Sequence, residues 1–96
     1  MNNEKWVIVC MFGGWDCVGQ VVENDATGVK LINCATLRQW GTTNGIGELF
    51  SGPKSGTILD LMPLPDGETF DIVRGGVIWV YPVSTTAWNK VLSPKK

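Results

Sequence analysis

The fold is decided by the stretch Trp6-Val-Ile-Val-Cys-Met-Phe-Gly-Gly-Trp-Asp-Cys-Val-Gly-Gln-Val-Val22. Its first part, through Phe12, is rich in β-branched and aromatic residues and has no helical stripe, which is the pattern of a strand buried on both faces. Gly13 and Gly14 suit a tight turn, and apolar residues resume at Trp15. The stretch therefore predicts two strands brought together by a turn.

The next segments continue the strand pattern. The polar stretch Glu23 to Gly28 predicts a turn. In the following strand, over Gly28 to Arg38, one parity holds the apolar positions Val29, Leu31, Ala35 and Leu37. Arg38 falls on the other parity, so we expect it to point away from the core face.

Two later segments have helical signals. Asn44 to Pro53 predicts one or two helical turns ending at Gly52, with Ile46, Leu49 and Phe50 packed on the sheet. Ser84 to Leu92 predicts a short helix with a hydroxyl N-cap, which packs Trp88 and Leu92 on the sheet. Lys54 to Gly67 predicts an ordered connection with one short strand.

The last strand signals are Phe70 to Arg74 and Val77 to Val83. Gly75 and Gly76 between them suit a two-residue hairpin or a bulge, and Pro82 predicts that the final strand ends there or lies at an edge. The predicted fold class is α+β with β dominant: a small twisted antiparallel sheet or partly closed barrel of about five strands with one or two short helices.

Composition limits the function. A chain of 96 residues buries one core, so we expect a single domain over residues 1–96. Eight basic and nine acidic residues give a net charge of -1, which argues against binding of extended nucleic acid, because such binding needs many basic contacts to phosphates. The longest apolar run is too short to span a membrane, so we expect no membrane partner.

Histidine is absent from the sequence. The chain therefore lacks the commonest metal ligand and the base of Ser-His and Cys-His mechanisms. We expect a protein that is not an enzyme, with no catalytic residues, no metal site and no cofactor.

The three cysteines, Cys10, Cys17 and Cys34, lie in apolar runs without CxxC spacing. This pattern favours small buried thiols of a reducing compartment. A Cys10–Cys17 hairpin disulfide is the alternative.

The stretch from Leu37 to Gly52 contains the strongest candidate site. Five residues in it carry groups that suit a nucleotide, namely a guanidinium for phosphate, an indole for stacking, and hydroxyl and amide groups for ribose and base edges. They are Arg38, Trp40, Thr42, Thr43 and Asn44. The alternative is a half-buried strand end, with Trp40 in the core, Arg38 solvated, and Thr43 and Asn44 capping the helix.

Other residues extend or compete with this site. Trp15 and Arg74 are further candidate ligand-binding residues, whereas Trp15 as a cap over the sheet and Arg74 as the polar residue of a hairpin tip are the structural alternatives. The acidic residues of the later connection suit a cation site, an acid/base pair of a hydrolase, or solvated loop charge. These are Asp60, Asp66, Glu68 and Asp71.

The chain contains five tryptophans, which is more than so small a core is expected to bury. Trp79 and Tyr81 lie on the same face of the predicted last strand. If helices leave that face uncovered, it is an interface. We therefore expect a homo-oligomer.

Several short motifs carry a resemblance: Trp6-Val-Ile-Val9, Gly19-Gln-Val21, Val29 to Ala35 leading to Trp40-Gly41, Glu48-Leu49 and Trp79-Val-Tyr-Pro82. Together they resemble a family of small phage-encoded proteins of unknown function. Lys54 to Gly67 departs from the pattern.

The resemblance implies a phage protein in the cytoplasm of the infected host cell. By analogy with small phage proteins that disable host defence, the expected function is counter-defence. The protein would sequester a nucleotide-like immune signal in a pocket formed on oligomerisation. The alternative is an inhibitor that binds a host protein through its aromatic sheet face or an edge strand.

Overall fold

A computed structural model describes residues 5–42, 45–62, 64–65 and 68–92 of the chain. Within these ranges the elements are β1 Trp6–Met11, β2 Trp15–Asp25, β3 Gly28–Gln39, a first 3₁₀ helix Ile46–Ser51, β4 Ile58–Leu61, β5 Phe70–Val73, a second 3₁₀ helix Arg74–Gly76, β6 Val77–Pro82 and α1 Thr85–Val91. The predicted fold class is confirmed: the protein is β-dominant, with six strands in one antiparallel sheet.

The sheet curls strongly. Its strand order is β4-β3-β2-β1-β6, and β5 pairs with the other end of β3. The strands β5 and β6 lie at opposite edges, yet only Arg74–Gly76 joins them. A flat sheet would put these edges about 19 Å apart, which three residues rising about 2 Å each do not span. The expectation that Gly75 and Gly76 form a hairpin or bulge is therefore wrong, because β5 and β6 pair with different neighbours.

The core has two parts, one on each side of the sheet. The helix-side core consists of Trp6, Ile8, Cys10, Val18, Ala35, Leu37, Leu49, Val83, Trp88 and Leu92. The concave core consists of Val7, Val9, Cys17, Val29, Leu31, Cys34 and Ile72, with side chains of both β5 and β6 packed around it. The first strand contributes to both parts, as predicted for a strand buried on both faces.

The cysteines are divided between these cores. Cys10 lies in the helix-side core, whereas Cys17 and Cys34 lie in the concave core. All three are buried and free. The alternative of a Cys10–Cys17 disulfide is wrong, because side chains one register step apart on paired strands point to opposite faces.

The apolar side chains of β3 change from one face of the sheet to the other midway along the strand. Val29 and Leu31 belong to the concave core, but Ala35 and Leu37 belong to the helix-side core. Asn33 is the cause, since its φ of 52° lies in the left-handed region and interrupts the alternation. The prediction that these four apolar residues share one face is therefore wrong.

The β2–β3 hairpin is longer than predicted. Glu23, Asn24 and Asp25 belong to β2 rather than to a turn, and they pair with Lys30, Val29 and Gly28. The Asp25 carboxylate makes this possible, because its Oδ1 accepts the backbone N–H and the hydroxyl of Thr27 at 2.9 and 2.6 Å. This Asx-type turn closes the hairpin with few residues.

The two predicted helices are present, with one difference. Residues 46–51 form a 3₁₀ helix, in which positions three apart align. Leu49 is therefore buried while Phe50 is 48% exposed, so the predicted packing of Phe50 is wrong. The side chain of Ile46 lies outside what the structure describes.

Helix α1 is as predicted. The Ser84 Oγ accepts the Ala87 N–H at 3.2 Å, and Trp88 and Leu92 are buried. The buried Trp88 indole donates to the Leu49 carbonyl at 2.9 Å. This bond ties α1 to the first 3₁₀ helix, so both cover the same face of the sheet.

Candidate functional site

Arg38 projects from the end of β3 into an ion pair. As predicted, it is exposed while Leu37 is buried. Its Nε and Nη2 donate to the two carboxylate oxygens of Asp60 on β4, each at 2.8 Å. This hydrogen bonding raises the pKa of Arg38 and lowers that of Asp60. A phosphate at Arg38 would have to compete with this two-point contact.

Trp40 is held at both its ring and its backbone. Its Nε1 donates to Asp16 Oδ2 at 2.9 Å, and its carbonyl accepts the Thr57 hydroxyl at 2.5 Å. The ring is 36% exposed. Trp40 is thus neither a core residue nor a free stacking platform, but a half-covered ring at the rim of the sheet.

A backbone crossing positions this rim. Gly41 has a φ of 68°, and a Cβ added to it would lie 2.1 Å from the carbonyl carbon of Gly56. Gln39 Nε2 also donates to the Gly56 carbonyl at 3.0 Å. The chain segments before and after the first 3₁₀ helix therefore touch, and glycine at position 41 permits the contact.

The remaining predicted site residues are separated. Thr42 follows the crossing and is half-buried, whereas Thr43 and Asn44 lie outside the described residues. Arg74 is at the opposite end of β3, where its guanidinium donates to the carbonyls of Asp25 and Gly28 and to the side chain of Asn24. Arg74 thus fastens the β2–β3 turn. The alternative that Arg74 is the polar residue of a hairpin tip at Gly75 and Gly76 is wrong, because β5 and β6 do not pair with each other.

Of the late carboxylates, Asp60 and Asp71 are not brought together. Asp60 is opposite Thr36 in one half of β3, and Asp71 is opposite Lys30 in the other. Asp71 pairs with Lys30 at 3.9 Å, Glu68 is exposed, and Asp66 lies outside the described residues. Within the described ranges, no group of three His, Cys, Asp or Glu side chains is placed to hold a metal ion.

A pocket of about 350 Å³ opens at the end of the concave core. Phe12 and Trp15 border it and are 66% and 64% exposed. They flank the β1–β2 turn, in which Gly13 and Gly14 both have positive φ. The two glycines permit this tight turn, which places an exposed aromatic residue on each side of it at the pocket.

The interior of the pocket is apolar. Its walls include Met11, Cys17, Met62, Phe70 and Ile72. Asp16 is the one charged residue among the described lining residues, and its carboxylate is engaged by Trp40. A neutral apolar or aromatic group suits these walls better than a phosphate does.

The pocket joins residues that sequence reasoning considered separately. The sequence predicts Trp15 as a ligand-binding residue. Met62, Phe70 and Ile72 come from the connection after β4 and from β5, far along the chain from Trp15. No local pattern in the sequence signals that β5 packs beside the β1–β2 turn. Such a signal would require information on residue pairs distant in sequence.

Exposed apolar residues continue onto β6. Trp79 is 55% exposed, whereas Tyr81 packs against the helix-side core close to Gly47. The two residues share a face, but the first 3₁₀ helix reaches only one of them. The aromatic sheet face expected as an interface is thus reduced to the part around Trp79.

No protein family, curated protein or solved structure matches the chain. In the part of the chain that the structure describes, no helix has the length and apolar character needed to cross a membrane.

Proposed function

We propose that the protein is a non-catalytic binding protein that holds a bulky apolar side chain of a partner protein in the Phe12–Trp15 pocket. The observation that carries this proposal is the apolar pocket of about 350 Å³ behind two exposed aromatic rings. Buried aromatic anchors in such pockets supply most of the binding energy at protein interfaces. In the phage context that the resemblance implies, the partner is a host protein that the binding blocks.

Protein binding agrees better with the site than nucleotide sequestration does. Two of the Arg38 nitrogens donate to Asp60, and Arg74 binds backbone carbonyls of the β2–β3 turn. Neither arginine lines the pocket. A nucleotide base that entered between Phe12 and Trp15 would therefore find no described cation there to bind its phosphate.

Titration with small probes tests the proposal. N-acetyl-phenylalaninamide imitates an apolar side chain of a partner, and AMP imitates a nucleotide signal. In amide NMR spectra we expect the first probe to shift resonances of Trp15 and Met62. Trp15→Ala should weaken this binding about 3- to 10-fold, as expected for loss of an aromatic pair. Leu61→Ala is the matched control, because Leu61 is 65% exposed and does not line the pocket.

The AMP arm decides between the two functions. If Arg38 bound a phosphate, Asp60→Asn should tighten AMP binding by releasing the guanidinium, and Arg38→Ala should abolish it. AMP binding with that dependence, together with no binding of the apolar probe, would overturn the proposal in favour of nucleotide sequestration.

The expected homo-oligomer stays a prediction. Ile78 and Trp79 on the edge strand β6 are 49% and 55% exposed, which is the support for it. Size-exclusion chromatography with light scattering tests it. A monomer at micromolar concentration would show that these side chains do not join two copies.

A further inference from the structure

Four sulfur-containing side chains belong to the concave core. Cys17 and Cys34 are buried there, and Met11 and Met62 pack against the same cluster. The Cys34 Sγ lies 3.4 Å from the Met62 Sδ. Cys10 is on the other side of the sheet, in the helix-side core. The concave core therefore concentrates thiol and thioether groups in one place.

The backbone holds these groups in position. The left-handed Asn33 turns Cys34 toward the concave core, where it packs over Gly19 so closely that an added Cβ would lie 2.6 Å from the Cys34 Cβ. The Met62 N–H donates to the Cys34 carbonyl at 3.1 Å, so these two residues are linked through both backbone and side chain.

Cys17 is near the Cys34–Met62 pair and faces the pocket. It is opposite Thr36, two residues from Cys34 on the neighbouring strand and on the same face. Cys17, Met11 and Met62 all line the pocket, which gives an ion a path from solvent.

We propose that Cys17, Cys34 and Met62 bind a single Cu(I) ion, with Met11 as a neighbouring thioether. Thiolate and thioether ligands select Cu(I) among the common metal ions, whereas a structural Zn²⁺ site takes four Cys, His or carboxylate ligands. On binding, two S–H bonds break and two Cu–S bonds form; both protons go to solvent, the Met62 sulfur donates a lone pair, and copper stays in the +1 state.

This site shares Cys17, Met11 and Met62 with the pocket of the proposed function, but its donor atoms do not include Trp15. Its donors are two thiols and thioether sulfur, so the site contains only two Cys side chains and no His, Asp or Glu ligand. Loss of pocket binding by Trp15→Ala would leave the sulfur atoms in place, and failure of one proposal is therefore distinguishable from failure of the other.

Anaerobic competition with the Cu(I) chelator bathocuproine disulfonate tests the site. We expect the protein to withdraw one Cu(I) per chain from the coloured chelator complex and to withdraw no Zn²⁺ from a zinc dye. Cys34→Ser and Met62→Leu should each weaken Cu(I) binding about 10-fold or more. Cys10→Ser is the matched control and should leave Cu(I) binding unchanged, because Cys10 lies on the opposite face.

X-ray absorption of the copper-loaded wild-type protein gives a readout that does not depend on the folding of a variant, and it should show sulfur neighbours alone. Met62→Leu preserves side-chain volume and serves if Cys34→Ser does not fold. Failure of the wild type to compete for Cu(I), nitrogen or oxygen neighbours at the copper, or equal weakening by Cys10→Ser would each overturn the proposal.

Discussion

Replacing Gly41 by alanine tests the backbone crossing that positions Arg38 and Trp40. Gly41 has a φ of 68°, and an added Cβ would lie 2.1 Å from Gly56 C and 2.5 Å from Gly56 O. A left-handed alanine costs roughly 1–2 kcal/mol by itself. The clash must also part the two segments, which weakens the bond from Thr57 to the Trp40 carbonyl and the bond from Gln39 to Gly56. At about 1 kcal/mol for each bond, Gly41→Ala should destabilise the protein by roughly 3–4 kcal/mol.

Alanine substitutions at two other glycines separate the cost of backbone strain from the cost of the clash. Gly14 has a φ of 82° with no atom within 4 Å of an added Cβ, so Gly14→Ala carries the backbone strain without a clash. Gly75 has open space and no positive φ, so Gly75→Ala should be neutral or stabilise by about 0.4–1 kcal/mol through the unfolded state. The expected order of stability is Gly75→Ala, then Gly14→Ala, then Gly41→Ala.

Urea unfolding followed by the fluorescence of the buried Trp6 and Trp88 measures these differences. With a urea slope of about 1–3 kcal/mol/M, the Gly41→Ala midpoint should fall by about 1 M or more. If the free energy of unfolding of Gly41→Ala lay within about 0.5 kcal/mol of that of Gly14→Ala, the backbone crossing would not restrain the chain. That result would refute the account of how Trp40 is held.

Three further predictions concern charge, thiol reactivity and the core. Arg38→Ala should raise the pKa of Asp60 in carboxyl NMR titrations, because hydrogen bonding from Arg38 lowers this pKa in the wild type. Because the pKa is lower in the folded state, the ion pair stabilises the folded protein at pH values above the unfolded pKa of about 3.9. This contribution is lost as the pH falls through the folded-state pKa. An unchanged pKa would contradict the ion pair. Cys10 is buried, and burial raises the pKa of its thiol to about 12, so a thiol reagent at neutral pH should label Cys10 at the rate of unfolding. Rapid labelling of Cys10, read by peptide mass spectrometry, would contradict this. Trp88→Phe removes the buried indole donor to the Leu49 carbonyl, which keeps only the Gly52 N–H, and should cost about 0.5–1.5 kcal/mol for the lost bond in urea unfolding. The exposed Trp79→Phe should change stability by less than about 0.5 kcal/mol, and equal effects would contradict the role of the buried bond.

Local sequence patterns were sufficient to predict several of the individual strands and the terminal helix. The apolar β-branched run of β1, the short strand β4 and the hydroxyl-capped helix α1 are all where the sequence predicts them. These signals depend on neighbouring residues, since side-chain alternation and capping are set within a few positions of the chain. Two errors fall where one residue changes the local geometry, as Asn33 does in β3 and Asp25 does in the β2–β3 turn. The error at Gly75 and Gly76 has another cause, because β5 and β6 pair with different strands.

The candidate site was less accessible to such reasoning. The sequence placed Arg38, Trp40 and Trp15 among the site residues, but it did not reveal that Asp60 and Asp16 engage the first two. Those partners lie 22 and 24 positions away along the chain. Only strand pairing brings them together, and a short amphipathic pattern carries no information on which strands pair.

Local sequence patterns were enough to predict a β-dominant fold, two strands around a glycine turn and a capped terminal helix. The tertiary structure alone decided the curl of the sheet, the pocket behind Phe12 and Trp15, and the placement of Cys17, Cys34 and Met62 on one face. The physical reason is that periodicity fixes which way a side chain points relative to its own strand. The three-residue link between opposite sheet edges then determines which distant side chains share an enclosed space.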